Sequence, residues 1–195
     1  MNFIAEPPSS PEVQALYDED VDDDGYVMNL TRLWAHLPGT QAALSEVMDR
    51  MIEAGGLSVR QRGTLIAACA SAMGDAYCSL GWGNKLARMS GAPVAAGVIR
   101  GDDDGLSPTD RALARWARRV ATDPNATTAK DVDELRDAGF DDTQVFAITT
   151  FVALRGAFST VNDALGAPPD RELVDAAKPE VLAAVTFGRP PGDPR

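Results

Sequence analysis

Histidine is almost missing from this 195-residue sequence, which has one, His36, and cysteine is scarce, with two, Cys69 and Cys78. One imidazole and two scattered thiols cannot build a zinc or transition-metal site of the usual ligand type. A serine–histidine–acid triad on His36 finds no nucleophile elbow to complete it. Positive charge is also short: 18 Lys and Arg stand against 29 Asp and Glu, a net charge of −11. Such an acidic surface repels phosphate backbones and anionic headgroups, so neither nucleic acid nor a membrane is an expected partner. The apolar runs read as too short to span a bilayer, and residues 1–11 lack the basic-then-apolar pattern of a secretory signal. Two cysteines make no disulfide framework, so the expected location is the cytoplasm, with both thiols reduced. Strand-type alternation and internal repeats are absent as well.

What remains is helical periodicity, and it runs through most of the chain. Residues 1–24 are expected to form a proline-bearing arm, with a short helix over Glu12–Tyr17, followed by an acidic segment, residues 25–187 a single all-α domain, and residues 188–195 a Pro/Gly-rich tail. After a short helix over Leu30–His36, the stripe Leu44, Val47, Met48, Met51 and Ile52 predicts a helix that Gly55-Gly56 stops. Ser58 caps a second, nearly apolar helix carrying Leu65, Ile66, Cys69 and Ala72. Asp75 caps a third, closed near Gly91, and Pro93 opens a short one. Ser107-Pro108, Thr127 or Thr128, and Asp141-Asp142 start three more, the last being the longest, from about Thr143 to Leu165. A final short helix is expected over Pro179–Phe187.

Two local patterns invite chemistry. Asp20-x-Asp22-x-Asp24-Gly25 matches the opening of a calcium-binding loop, with Val27 at its apolar eighth position. Thr31 occupies the place of the closing glutamate, so the expectation is a solvated acidic turn. The other pattern is Cys78, which falls in the first turn of the helix capped by Asp75. There the backbone N–H groups and the helix dipole favour a thiolate. Asp75, Cys78, Trp82 and Lys85 share one face of that helix. Asp75 opposes thiolate formation by like charge and Lys85 favours it. The residues alone leave two readings, a reactive thiol or a small buried hydrophobe. Arg155, inside the long apolar helix, needs a partner if buried, and the expectation is a carboxylate such as Asp75.

The stretch Leu57-Ser58-Val59-Arg60-Gln61-Arg62, the apolar helix after it and Asp75-Ala76-Tyr77-Cys78 resemble the carboxymuconolactone decarboxylase family, in its alkylhydroperoxidase-like, peroxidase-related branch. Leu106-Ser107-Pro108, Asp131-Val132, Leu135-Arg136, Gly139-Phe140 and Asn162-Asp163-Ala164-Leu165-Gly166 extend the likeness, which covers about Gly25 to Asp170. The resemblance implies a helical fold that assembles into homo-oligomers, and the apolar second and long helices agree with self-association. Redox members of the family carry a Glu, then a Cys-x-x-Cys, then a His. Laid on this chain those positions are Gly63, Asp75 with Cys78, and Trp82, so only the attacking cysteine is kept. Indole has no basic nitrogen, and Trp82 cannot replace the histidine as a base.

The resemblance therefore implies a peroxidase-related protein with one-cysteine thiol chemistry at Cys78. Asp75 and Trp82 shape its pocket, and an outside thiol returns the sulfenate to the thiol. Cys69 is a candidate resolving cysteine, with plain core packing as the alternative. Lys85 and Arg62 are candidate substrate-binding cations, the substrate being a small hydroperoxide or organic acid. No metal or other cofactor is expected. Other outcomes are a non-redox decarboxylase or lactone-type enzyme on the same fold, and a non-catalytic member that binds a small molecule or a partner protein.

Overall fold

The computed structural model describes residues 2–192, and among them every regular element is helical. The fold is all-α. Eleven α-helices follow one another: α1 Pro11–Asp24, α2 Asn29–Trp34, α3 Thr40–Gly55, α4 Val59–Met73, α5 Ala76–Ser90, α6 Ala92–Arg100, α7 Pro108–Thr122, α8 Ala129–Asp137, α9 Asp142–Ala164, α10 Arg171–Asp175 and α11 Pro179–Ala184. The centre is α4, which packs against α5, α6, α7 and α9; α3 lies along α9, and α11 closes over α5 and α6. Leu65, Ile66, Ala67, Ala68, Cys69 and Ala70 of α4 are all buried, in keeping with a helix whose only polar side chains after Arg62 are Thr64 and Ser71.

The starts of the central helices follow from side-chain caps. Ser58 and Gln61 form a reciprocal capping box on α4, and Asp141 and Gln144 do the same on α9. Asp75 caps α5 by accepting from the Cys78 N–H at 2.9 Å. Gly74, at φ +76°, supplies the left-handed residue between α4 and α5.

The N-terminal quarter departs from the expected arrangement. The acidic run Asp18–Asp24 is not a turn: it belongs to α1, which starts at the Ser10 cap with Pro11 in its first turn. Asp20 is buried and accepts from the Met28 N–H at 2.8 Å. A calcium loop needs its aspartates on non-helical backbone converging on one point. Asp20, Asp22 and Asp24 instead run along a helix, and the described residues contain no acidic cluster able to hold a metal ion. Residues 2–10 precede α1 without regular structure, and the Phe3 N–H donates to the Leu165 carbonyl at 2.9 Å. A short helix that the sequence reading missed, α10, precedes α11.

α9 also corrects the expectation about apolar length. Its 23 residues are long and apolar enough to cross a membrane by length and composition. In this fold it is a core helix: Ile148, Phe151 and Val152 are fully buried, and Arg155 is buried four residues beyond Phe151.

Candidate functional site

Cys78 lies in a small hydrophobic cluster distinct from the main core, with Leu30, Leu33, Ala70, Tyr77, Phe158 and Ala167. One side of this cluster opens to a cavity of about 690 Å³, within the range of small-molecule sites. Its walls include Cys78 and Trp82 of α5, Arg155 and Phe158 of α9, and Tyr26 between α1 and α2. Cys78 is 4% exposed and lines this space.

The decisive contact comes from a distant part of the chain. Arg155 Nη2 donates to the Cys78 sulfur at 3.3 Å. The guanidinium also lies 4.7 Å from the centre of the Phe158 ring. Among the described residues it makes no ion pair with a carboxylate, and its Nε is buried without a hydrogen-bond partner. The expected Arg155–Asp75 pair is thus replaced by an Arg155–Cys78 pair. The reason is local: Asp75 spends Oδ1 on the α5 cap, and Cys78, one turn along, presents its sulfur to α9. Asp75 is completely buried, and its Oδ2 has no hydrogen-bond partner.

Burial raises the Cys78 thiol far above its ordinary range, and the Asp75 charge raises it further, while Arg155 and Ser159 act in the opposite direction. Burial thus favours the neutral thiol, and the Arg155 guanidinium at the sulfur favours a thiolate.

The other predicted residues divide. Trp82 is on the cavity wall, one turn beyond Cys78, and Lys85 is one further turn along. Lys85 Nζ lies 4.9 Å and the Arg62 guanidinium 5.0 Å from the centre of the Trp82 ring. Arg62 does not line the cavity; it reaches Trp82 from α4 with Asp49 at 3.8 Å. Cys69 does not line it either. Its sulfur faces the Val152 carbonyl at 3.9 Å in the main core, burial pushes its thiol up to about 11, and both cysteines are free. Gly63 packs beneath α5, where a Cβ would already stand 3.3 Å from Met89 and 3.7 Å from Leu86.

Sequence reasoning gave Arg155 a carboxylate partner in place of Cys78, and it missed Tyr26, Tyr77, Arg88, Phe158 and Lys178 as wall residues. Tyr77 donates to Asp170, which also accepts from the Asn29 N–H at 2.8 Å, fixing α5 to the chain after α9. Phe158 stacks on Trp34 with ring centres 5.1 Å apart, and its signal was its place on the apolar stripe of the long helix.

No family model matches the sequence, and no curated protein is similar to it at the sequence level. Solved structures are similar. A peroxidase-related protein from Ralstonia eutropha JMP134, an alkylhydroperoxidase AhpD core, superposes with a TM-score of 0.74 over 96% of this chain and 98% of its own, at 22% identity. A peroxidase-related protein from Silicibacter sp. TM1040 gives 0.75 over 88% and 93%, at 18% identity. The fold is that of the AhpD core. The debrominase Bmp8 shares this AhpD-like fold at a TM-score of 0.71 and 14% identity, over 93% of this chain and 97% of its own. A cysteine-to-alanine variant of Bmp8 has been solved in complex with 2,3,4-tribromopyrrole.

Proposed function

We propose that this protein is a peroxidase-related thiol enzyme in which Cys78 alone reduces a small hydroperoxide. The observation that carries the reading is the Arg155–Cys78 contact of 3.3 Å at the wall of the cavity. A buried guanidinium directed at a sulfur suits a thiolate that must exist only during reaction. In the proposed step the Cys78 thiol gives its proton to Asp75, and the sulfur attacks the distal oxygen of the hydroperoxide. An S–O bond forms, the O–O bond breaks, and the departing alkoxide takes the proton from Asp75. Sulfur is oxidised by two electrons and the hydroperoxide is reduced to an alcohol. A small external thiol then condenses with the sulfenic acid, releasing water, and a second one frees Cys78 while forming the external disulfide.

Trp82 supports this reading as a wall and not as a base. Two free thiols fit a reducing compartment, and a cytoplasmic location belongs to the proposal. The tribromopyrrole held by the Bmp8 variant is a small ring compound, of a size that the cavity here accommodates. Self-association belongs to the proposal too: Val59 and Phe146 stand largely exposed on α4 and α9, and size-exclusion chromatography tests it.

The test is intact-mass analysis of reduced protein after brief exposure to hydrogen peroxide and to an organic hydroperoxide, with Cys78→Ser beside it. Gain of one oxygen in the wild type and none in the variant is expected. An unreactive Cys78 under conditions that oxidise a free thiol overturns the thiol reading. It would favour a non-redox enzyme on the same fold, which the substitutions at Gly63, Asp75 and Trp82 support.

A further inference from the structure

The cavity reverses the charge of the molecule. Four of the chain's 18 basic residues line it, Arg155, Lys85, Arg88 and Lys178, against two of its 29 acidic ones, Asp24 and Glu172. Arg155 is at the sulfur. The other three are exposed and come from the C-terminal half of α5 and the α10–α11 link. Lys85 and Arg88 are three residues apart on α5, hence on one face. Lys178 is brought to them from the α10–α11 link, because its N–H donates to Asn84 Oδ1 at 3.0 Å, and Asn84 is buried next to Lys85 on α5. None of the three enters an ion pair among the described residues. The walls also carry apolar and aromatic side chains, Trp82, Leu173 and Phe158.

We propose that Lys85, Arg88 and Lys178 form an anion subsite of the same cavity, and that the substrate is an amphipathic carboxylate whose hydroperoxide lies at Cys78. This rests on the thiol reading and adds the substrate class to it. The helix rise sets the spacing: Lys85 is about 10 Å and Arg88 about 15 Å along the α5 axis from Cys78. A carboxylate held there needs an acyl or aryl body of that length to bring its peroxide to the sulfur. The apolar and aromatic side chains of the wall accept such a body, and the basic residues in an otherwise acidic protein draw its charged end.

The test compares linoleic acid hydroperoxide with its methyl ester, which removes the charge and keeps the chain. The wild type is expected to prefer the acid by about ten-fold in kcat/KM at low salt, with the preference shrinking as salt is added. In the double variant Lys85→Gln, Arg88→Gln the acid-to-ester ratio is expected to fall to about one. Equal turnover of acid and ester by the wild type overturns the subsite and leaves the thiol reading standing. A second measurement needs no turnover: linoleic acid itself is titrated into Cys78→Ser and followed by tryptophan fluorescence. Saturable binding that Lys85→Gln, Arg88→Gln in that background abolishes supports the subsite even where no hydroperoxide is reduced, and then only the thiol reading fails. No binding of linoleic acid overturns the subsite.

Discussion

The two cysteines lie nine residues apart on adjoining helices, both buried and both free. Cys69 is 1% exposed and Cys78 4%, so burial alone does not separate them. Their neighbours do. Cys69 belongs to the main core and meets a backbone carbonyl; Cys78 belongs to the smaller cluster and meets a guanidinium and a cavity. A carbonyl oxygen offers nothing to a negative sulfur, whereas a guanidinium lowers the cost of making one. The proposed difference in reactivity is thus a matter of which part of α9 faces the sulfur, the backbone at Val152 or the side chain of Arg155.

The sharpest way to break the comparison is to exchange the sulfurs for other groups. Cys78→Ser is expected to lower peroxide reduction by roughly three orders of magnitude or more, as removal of a nucleophile does. Cys69→Ala is expected to leave Cys78 oxidation in place and to cost about 1–2 kcal/mol of stability through lost packing. Stopped-flow kinetics and chemical denaturation read the two effects separately. A Cys69–Cys78 disulfide in peroxide-treated wild type would erase the distinction and make Cys69 the resolving cysteine.

Arg155 comes next. Arg155→Met keeps much of the volume and removes the charge. We expect kcat/KM to fall by about 10²- to 10³-fold, the scale for losing one preorganised electrostatic partner. Thermal stability should hold or rise, because the guanidinium is buried with an unpartnered Nε and its replacement removes that desolvation cost. Parallel loss of activity and melting temperature would point to a structural role instead.

Why the sequence showed one half of this pair and hid the other is a matter of range. Asp75, Cys78, Trp82 and Lys85 follow one another on a single helix, and helical spacing with a capping residue places them without any tertiary knowledge. All-α architecture and most helix starts were legible for the same local reason, from Ser58, Ser107 and Asp141. Arg155 is 77 residues from Cys78, and only the packing of α5 and α9 against α4 brings them together. A buried base in an apolar helix announced that it needed a partner, but charge complementarity pointed to a carboxylate. Asp18–Asp24 misled in the opposite direction. A run of like charge reads as a turn, yet the Ser10 cap and the burial of Asp20 against the Met28 N–H carry α1 through it. Tyr26 and Lys178 stand on links between helices, where no periodicity marks them.

Asp75 offers a finer test of how the two sulfurs differ. Its charge raises the Cys78 thiol, second only to burial. Asp75→Asn keeps the α5 cap and removes the charge, so alkylation of Cys78 by iodoacetamide should extend to lower pH than in the wild type. Peroxide turnover should nonetheless fall by about 10²-fold, because the proton acceptor is gone. Faster alkylation together with slower turnover separates a base from a merely unfavourable charge; a gain in both would remove Asp75 from the proposed step.

The smallest expected effect lies behind Asp75. Burial and the Asp75 charge raise the Asp163 carboxyl to about 6, although Arg189 draws it down, against 3.8 for an ordinary aspartate. A carboxyl raised on folding binds its proton more tightly in the native state. Its contribution is fullest below the unfolded value and is lost as pH rises through about 6. Asp163→Asn removes that loss. The variant should melt higher than the wild type near neutral pH, and the gap should close as pH falls toward the ordinary aspartate value. Melting curves across that window decide the matter: an Asp163→Asn protein less stable at neutral pH would mean that the ionised carboxylate and Arg189 hold each other more strongly than burial and Asp75 oppose them.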